Sequence, residues 1–202
     1  GLIGKNVVTT KGAIHYLKGE ELIENKNYLM PRVSGEKIVS FIIGGPNKYY
    51  DYNEKFIEKI FTKIKNNFIK NGYQLIIIPS MRTPNRIIDK AKSFFDNKQI
   101  IIDDINKKAY LSSLSLASHI IVTCDSTSMI SEAAMTGKPI YIAQMPPIKK
   151  NERFQNFFNL FESLNITRNL ENSIDKWKYE KLDETNRISR YIINQFKKYD
   201  FS

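Results

Sequence analysis

Three runs in this chain combine residue types that can bind an anion. Asp125-Ser126-Thr127-Ser128-Met129-Ile130-Ser131-Glu132 places three consecutive hydroxyl residues at the predicted start of a helix. The first-turn N–H groups of a helix have no internal acceptors, so together with Ser and Thr hydroxyls they suit a phosphate or diphosphate. Glu132 follows about one turn later, where a carboxylate can accept from ribose hydroxyls. An ordinary N-cap, with Ser128 answered by Ser131 or Glu132, is the competing reading. Three hydroxyls in a row exceed what a cap needs.

Gly44-Gly45-Pro46-Asn47 follows an apolar run and offers a backbone that can approach a ligand closely and turn with positive φ. A plain strand-to-helix turn would look the same. The run is neither the three-glycine dinucleotide fingerprint nor a P-loop. Ser80-Met81-Arg82-Thr83-Pro84 supplies Arg82, whose guanidinium forks onto phosphate oxygens; a solvated loop before a Pro-started helix is equally compatible. Asp103-Asp104-Ile105-Asn106 can be acidic turn residues, with Asn106 and Tyr110 as candidates for a base pocket.

Other reactive types read differently. His15 lies just after a strand-turn, where a histidine can act as a general base or phosphate donor; a local hydrogen-bonding role is commoner. His119 opens a buried strand and reads as structural. Cys124 has no base in sequence that would activate it. With one Cys and two His, four-ligand zinc is not expected, and no metal is assigned. The Phe154, Phe157, Phe158, Phe161 stripe has helical spacing and reads as core.

The elements that must position these residues alternate. Asn6–Thr10 reads as a short strand, and Lys18–Gly35 as a polar linker. Strands follow at Lys37–Ile43, Gln74–Ile78, Gln99–Ile102, Ile120–Thr123 and Pro139–Ile142. Helices fall at Tyr52–Asn71, Pro84–Phe95, Lys107–Ser118, Ser128–Thr136, Glu152–Leu164 and Asp183–Lys197. This alternation predicts an α/β fold, a Rossmann-like doubly wound parallel sheet. In such sheets ligands sit beyond the carboxyl ends of the strands where strand order reverses. If the order is 3-2-1-4-5, counted from the Lys37–Ile43 strand, the Gly44-Gly45 and Asp125–Ser128 loops face each other there.

The chain has 202 residues, 42% of them apolar, enough for one packed domain or a domain plus a fragment of another. It opens on Gly1-Leu2 rather than Met. No apolar run reaches the length of a membrane span, and no signal peptide is recognised. The net charge of +10 has three readings. A compositional bias of a Lys-, Asn- and Ile-rich chain comes first, attraction to an anionic membrane surface second. Nucleic acid comes last and is not expected, because no basic-aromatic cluster is present.

Several runs recur in the order found in one family. They are Val7-Val8-Thr9-Thr10-Lys11-Gly12-Ala13-Ile14-His15, Ile43-Gly44-Gly45-Pro46-Asn47, Ser80-Met81-Arg82-Thr83-Pro84, Asp125 through Ala134, Thr136-Gly137-Lys138-Pro139, Arg153-Phe154, and Trp177-Lys178-Tyr179 with Glu184-Thr185. The chain resembles the mitochondrial-fission ELM family, whose members are similar to GT-B glycosyltransferases. The Asp-Ser-x-Ser-Met-x-x-Glu-Ala run is the most specific part. The family's Gly-Glu-Asn-Pro-Tyr stretch is reduced here to Asn106 and Tyr110.

The resemblance implies the C-terminal half of a GT-B-type architecture. Residues 1–34 would be the tail of a preceding Rossmann-like domain plus a linker, and residues 35–202 the nucleotide-sugar-binding domain. It implies a nucleotide-diphosphate sugar as donor substrate, with no separate cofactor. Ser126, Thr127, Ser128 and Met129 would border the diphosphate with Asp125, and Glu132 the ribose. Gly44, Gly45 and Asn47 would lie near the reacting bond. Arg82, flanked by Ser80 and Thr83, would be an auxiliary phosphate donor. The alternative is a non-catalytic membrane-surface protein of the same family, in organelle fission or envelope organisation. A lipid acceptor or anionic surface is the further partner, and the expected location is cytoplasmic, peripheral on the cytoplasmic membrane face.

Overall fold

A computed structural model describes residues 4, 6–35, 37–171 and 173–199. The outer ends of the two expected domains, residues 1–3 and 200–202, lie outside the described residues. The core is a parallel sheet of six strands in the order β3-β2-β1-β4-β5-β6. The strands are β1 (Ile38–Ile43), β2 (Gln74–Pro79), β3 (Ile100–Ile101), β4 (His119–Thr123), β5 (Ile140–Ala143) and β6 (Thr167–Asn169). Every residue of β1, β4 and β5 is buried, as expected of strands covered on both faces. In register, Phe41 lies between Ile77 and Ile121.

Helices connect the strands: α2 (Glu54–Asn67), α3 (Asn85–Phe94), α4 (Lys107–Leu116), α5 (Thr127–Ala134) and α6 (Glu152–Ser163). A short α1 (Gly19–Glu24) precedes the sheet and α7 (Glu184–Tyr199) ends the chain. In α2 the residues Ile57, Ile60, Phe61 and Ile64 form one buried stripe at i, i+3, i+4, i+7 spacing. The Asn53 side chain accepts from the Lys55 amide at its start. Past its end, Gly72 adopts φ 82°, a left-handed conformation that glycine permits without a Cβ penalty.

The expected Rossmann-like fold is present, and strand order reverses between β1 and β4. Three details differ from the sequence expectation. Residues 7–10 form no strand. The segment that follows instead gives its amides to side chains of other elements: Lys11 to Glu184 Oε2 at 2.7 Å, Ala13 to Ser131 Oγ at 2.9 Å and His15 to Thr185 Oγ1 at 3.1 Å. A strand needs a ladder partner, and here the partners are side chains of α5 and α7.

Lys18–Gly35 is not a bare linker. It folds into α1 and two 3₁₀ turns, Lys26–Tyr28 and Met30–Arg32. Leu29 is buried, and its amide donates to Ser112 Oγ of α4 at 3.0 Å. Finally, β6 had no apolar alternation to reveal it. Its Thr-Arg-Asn sequence carries no strand pattern and becomes a strand only by pairing with β5.

Candidate functional site

The loops after β1, β2 and β4 meet at the carboxyl edge of the sheet, around the buried carboxylate of Asp125. Its Oδ2 accepts from Arg82 Nη2 at 2.7 Å and from the Gly45 amide at 3.2 Å. Its Oδ1 accepts from the Tyr52 hydroxyl. The Asp125 side chain has no solvent exposure, whereas that of Arg82 is 41% exposed. Burial, and next the Asp125 charge, push the Tyr52 hydroxyl well above its usual range, so it stays a donor.

The same three loops are tied by further bonds. Arg82 Nη1 donates to the Gly45 carbonyl at 2.9 Å. Asn47 Nδ2 donates to the Asp125 carbonyl at 3.1 Å, while Asn47 Oδ1 accepts from the amides of Tyr49 and Tyr50. The Thr83 hydroxyl lies 2.7 Å from the carbonyls of both Ile43 and Gly44 and accepts from the Ser80 amide. Ser80 Oγ in turn accepts from the Arg82 amide at 3.3 Å.

The glycine pair has a different cause from the one expected. Neither Gly44 nor Gly45 has positive φ; among the described residues those glycines are Gly72 and Gly137. A Cβ on Gly44 would fall 2.2 Å from Asp125 Oδ2, and one on Gly45 would fall 1.9 Å from the Arg82 carbonyl oxygen. Both positions need glycine because neighbouring loops press against the backbone.

Beyond Asp125 begins α5. Ser126 is its N-cap, and its hydroxyl accepts from the Met129 amide at 3.4 Å. The cap is therefore Ser126, not Ser128. The amides of Thr127 and Ser128 meet no protein acceptor among the described residues, as helix geometry dictates for the first turn. Thr127 is half-buried, Ser128 is exposed, and Met129 is half-buried. Arg82, on the Asp125 carboxylate, uses two of its roughly five N–H donors on the protein; the others are open to solvent or ligand.

Glu132 lies four residues after Ser128, on the same helix face. Its Oε2 accepts from the Tyr110 hydroxyl at 2.5 Å. Burial, and next the Glu132 charge, raise the Tyr110 hydroxyl well above its ordinary value. The first turn of α4 thus joins this site through Tyr110. Asn106 does not point the same way in function: its Oδ1 caps α4 through the Ala109 amide at 2.9 Å, and its Nδ2 donates to the Tyr28 hydroxyl.

His15 is buried and makes no hydrogen bond to the Asp125 cluster; its carbonyl accepts from the Thr185 hydroxyl at 2.6 Å, and its Nδ1 has no partner among the described residues. His119 packs among Phe68, Tyr73 and Tyr141, and burial lowers its pKa. Burial pushes the Cys124 thiol up to about 12, which leaves it un-ionised at neutral pH. Two residues of the site escaped sequence reading. Tyr52 and Thr123 touch the cluster only through the fold, Thr123 Oγ1 accepting from the Gly44 amide at 2.8 Å.

A model of the family described as Mitochondrial fission ELM1 matches residues 1–196. The chain belongs to that family. This ELM1-family chain is 31% identical over 166 residues to the uncharacterized protein RP120 of Rickettsia prowazekii, covering 78% of this chain and 46% of that protein. It is 25% identical over 185 residues to the mitochondrial fission protein ELM1 of Arabidopsis thaliana, covering 89% and 43%. The chain thus spans under half the length of these curated relatives. Among solved structures, the UDP-GlcNAc 2-epimerase of Neisseria meningitidis bound to UDP-GlcNAc matches with a TM-score of 0.48 at 16% identity, over 87% of this chain and 48% of the other. The wall teichoic acid polymerase TagF matches with a TM-score of 0.38 at 14% identity, over 61% and 28%. Scores this low say nothing of what this ELM1-family chain does.

Proposed function

We infer that this chain is the nucleotide-diphosphate-sugar-binding half of a GT-B-type glycosyltransferase. The observation that carries the reading is the open start of α5. Two amides without acceptors among the described residues and the Thr127 and Ser128 hydroxyls follow directly on Asp125, whose carboxylate holds Arg82, and Glu132 lies on the Ser128 face. Thr127 and Glu132 are about 7–8 Å apart along the helix, a separation suited to a diphosphate and its ribose. Tyr110 holds Glu132 in place and leaves its Oε1 for a ribose hydroxyl.

In this reading the diphosphate is met by the helix end and Arg82, with the nucleotide sugar as substrate and no separate cofactor. Electrostatic stabilisation of the departing diphosphate is the main contribution of this half. Asp125, Gly44, Gly45, Asn47, Ser80 and Thr83 shape the crevice rather than touch the phosphates. Pairing with Arg82 and Tyr52 keeps the Asp125 charge from repelling the ligand. Asn106 caps α4, and the first turn of that helix carries Tyr110 to the border of the base and ribose. Calorimetric titration with UDP-, GDP- and CDP-sugars tests the reading. Binding of one, competed by its free nucleoside diphosphate, is the expected result; no binding by any of them to the full-length protein removes it.

A second reading, attachment to an anionic membrane surface without catalysis, rests on α7. Tyr191, Ile192, Ile193 and Phe196 are exposed there, Tyr191, Ile192 and Phe196 sharing a groove with exposed Val8, and Arg187 and Arg190 stand on the same helix. An amphipathic, basic helix of this kind suits a lipid interface. Among the described residues no helix is long and apolar enough to cross a membrane. Co-sedimentation with phosphatidylserine-containing vesicles but not with pure phosphatidylcholine vesicles, by a chain with no nucleotide affinity, would favour this reading.

A further inference from the structure

A second cleft, about 460 Å³ in volume, opens at the carboxyl ends of β5 and β6, beside the first turns of α6. It does not include Asp125 or the start of α5. Its size lies within the range of small-molecule sites. The half-buried rings of Phe154 and Phe158 line it.

Five side-chain amides also line it, four of them coupled in two pairs. Gln144 Nε2 donates to Asn169 Oδ1 at 2.8 Å, and Gln155 Nε2 donates to Asn159 Oδ1 at 2.8 Å. Each pair is held in place by its internal bond and still presents a carbonyl oxygen and an NH₂ group. Asn151 caps α6 through its Oδ1 and keeps its NH₂ group free.

The charges in the cleft nearly balance. Lys149 and Lys150 stand against Glu152 and Glu162. Arg168 also lines the cleft, but its guanidinium lies 2.9 Å from Asp175 and stacks 4.3 Å from the Trp177 ring centroid. An anion would meet both carboxylates, and a cation both lysines. A neutral ligand dense in hydroxyls meets neither conflict: its C–H faces pack on Phe154 and Phe158 while its hydroxyls bridge the amide pairs and carboxylates.

We propose that this cleft is a binding site for a neutral carbohydrate, separate from the diphosphate site. The test is titration of the ¹⁵N-labelled chain with methyl β-glucoside, methyl N-acetyl-β-glucosaminide, cellobiose and chitobiose, followed by amide correlation spectra. Saturable shifts confined to residues 144–159 and 167–169 are expected with at least one of these sugars. Gln155→Leu with Asn159→Leu, both on the exposed face of α6, should weaken that binding roughly tenfold, the loss of one to two hydrogen bonds. Phe158→Ala should weaken it similarly. If the Phe158 variant does not fold, the double Leu variant decides alone. No saturable shift with any of the four sugars overturns the proposal. Shifts unchanged in the Leu variant, or confined to residues 125–132, overturn it as well. Titration with a nucleoside diphosphate on the same samples reports on the α5 site independently, so either site can fail without the other.

Discussion

Arg82 Nη2 stands 2.7 Å from Asp125 Oδ2, and the same guanidinium grips the Gly45 carbonyl at 2.9 Å. One side chain thereby fixes the loops after β1, β2 and β4 relative to each other. Asp125→Ala should destabilise the fold by about 3 kcal/mol, since it leaves Tyr52, Arg82 and the Gly45 amide without their shared acceptor. Arg82→Met should cost less, about 1–2 kcal/mol, because the guanidinium is partly in water. Urea denaturation of both single variants and the double variant would check this; strict additivity in the double-mutant cycle would show that the pair is not coupled.

Gly45→Ala should be more damaging than a typical loop substitution. The added Cβ would meet the Arg82 carbonyl, which is backbone and cannot swing aside. A loss of about 2–3 kcal/mol is expected, in the range for forced overpacking. Gly72→Ala is the control: its Cβ meets nothing within 4 Å, and it pays only for φ 82°. Equal thermal midpoints for Gly45→Ala and the parent chain would show that the loops give way.

Capping and ligand binding separate at the start of α5. Ser126→Ala should lower stability by about 1 kcal/mol, the usual value of an N-cap, whether or not a ligand is bound. Thr127→Ala with Ser128→Ala should leave the melting temperature nearly unchanged and weaken nucleoside diphosphate binding by about 1–3 kcal/mol. A neutral nucleoside should bind the double variant as well as the parent. Equal weakening of both ligands would mean that the helix start itself had been disturbed.

Acid should release the strap formed by residues 11–15. Glu184 accepts from the Lys11 amide and pairs with Arg187, whose hydrogen bond is the main cause of its lowered pKa. A carboxyl with a depressed folded pKa contributes stability that is complete above its ordinary value of 4.5 and is lost as pH falls through the lower folded value. Denaturation midpoints for the parent should therefore fall more steeply below pH 4.5 than those of Glu184→Gln. Hydrogen exchange at the Lys11 amide should accelerate over the same window. Parallel pH profiles for the two proteins would contradict this account.

Lys138 gives a slope of the same sign at alkaline pH. Its ammonium donates to the carbonyls of Leu114 and Ser115 at the end of α4, yet burial lowers its pKa to about 8 from 10.5. Between these values the unfolded chain binds the extra proton, so stability from this group rises with pH from about 8 to 10.5. Lys138→Met should flatten that rise, by up to about 3 kcal/mol across the window. Chemical denaturation at several pH values between 7 and 11 measures it.

Much of the arrangement was legible before any coordinates. The apolar runs at Lys37–Ile43, Gln74–Ile78 and Ile120–Thr123, set between helical periodicities, announce buried parallel strands, and that periodicity is a local property of the chain. The hydroxyl-rich start of α5 was legible for the same reason, whereas the reversal between β1 and β4 followed only from an assumed strand order that the sheet then showed. Asn6–Thr10 misled because a β-rich stretch with no ladder partner remains irregular, and β6 was hidden because Thr167–Asn169 is a strand only through its neighbour.

Residue order alone determined which segments alternate, which loops follow the strands, and where a helix begins with open amides. Only the folded chain decided that Asp125 is enclosed by Arg82 and Tyr52, that Gly44 and Gly45 yield to those groups and not to positive φ, and that Glu132 meets Tyr110. The physical reason is range. Periodicity and capping act between residues a few positions apart, whereas a buried carboxylate finds its partners across 43 to 80 positions of sequence, on whichever loops the sheet order brings together.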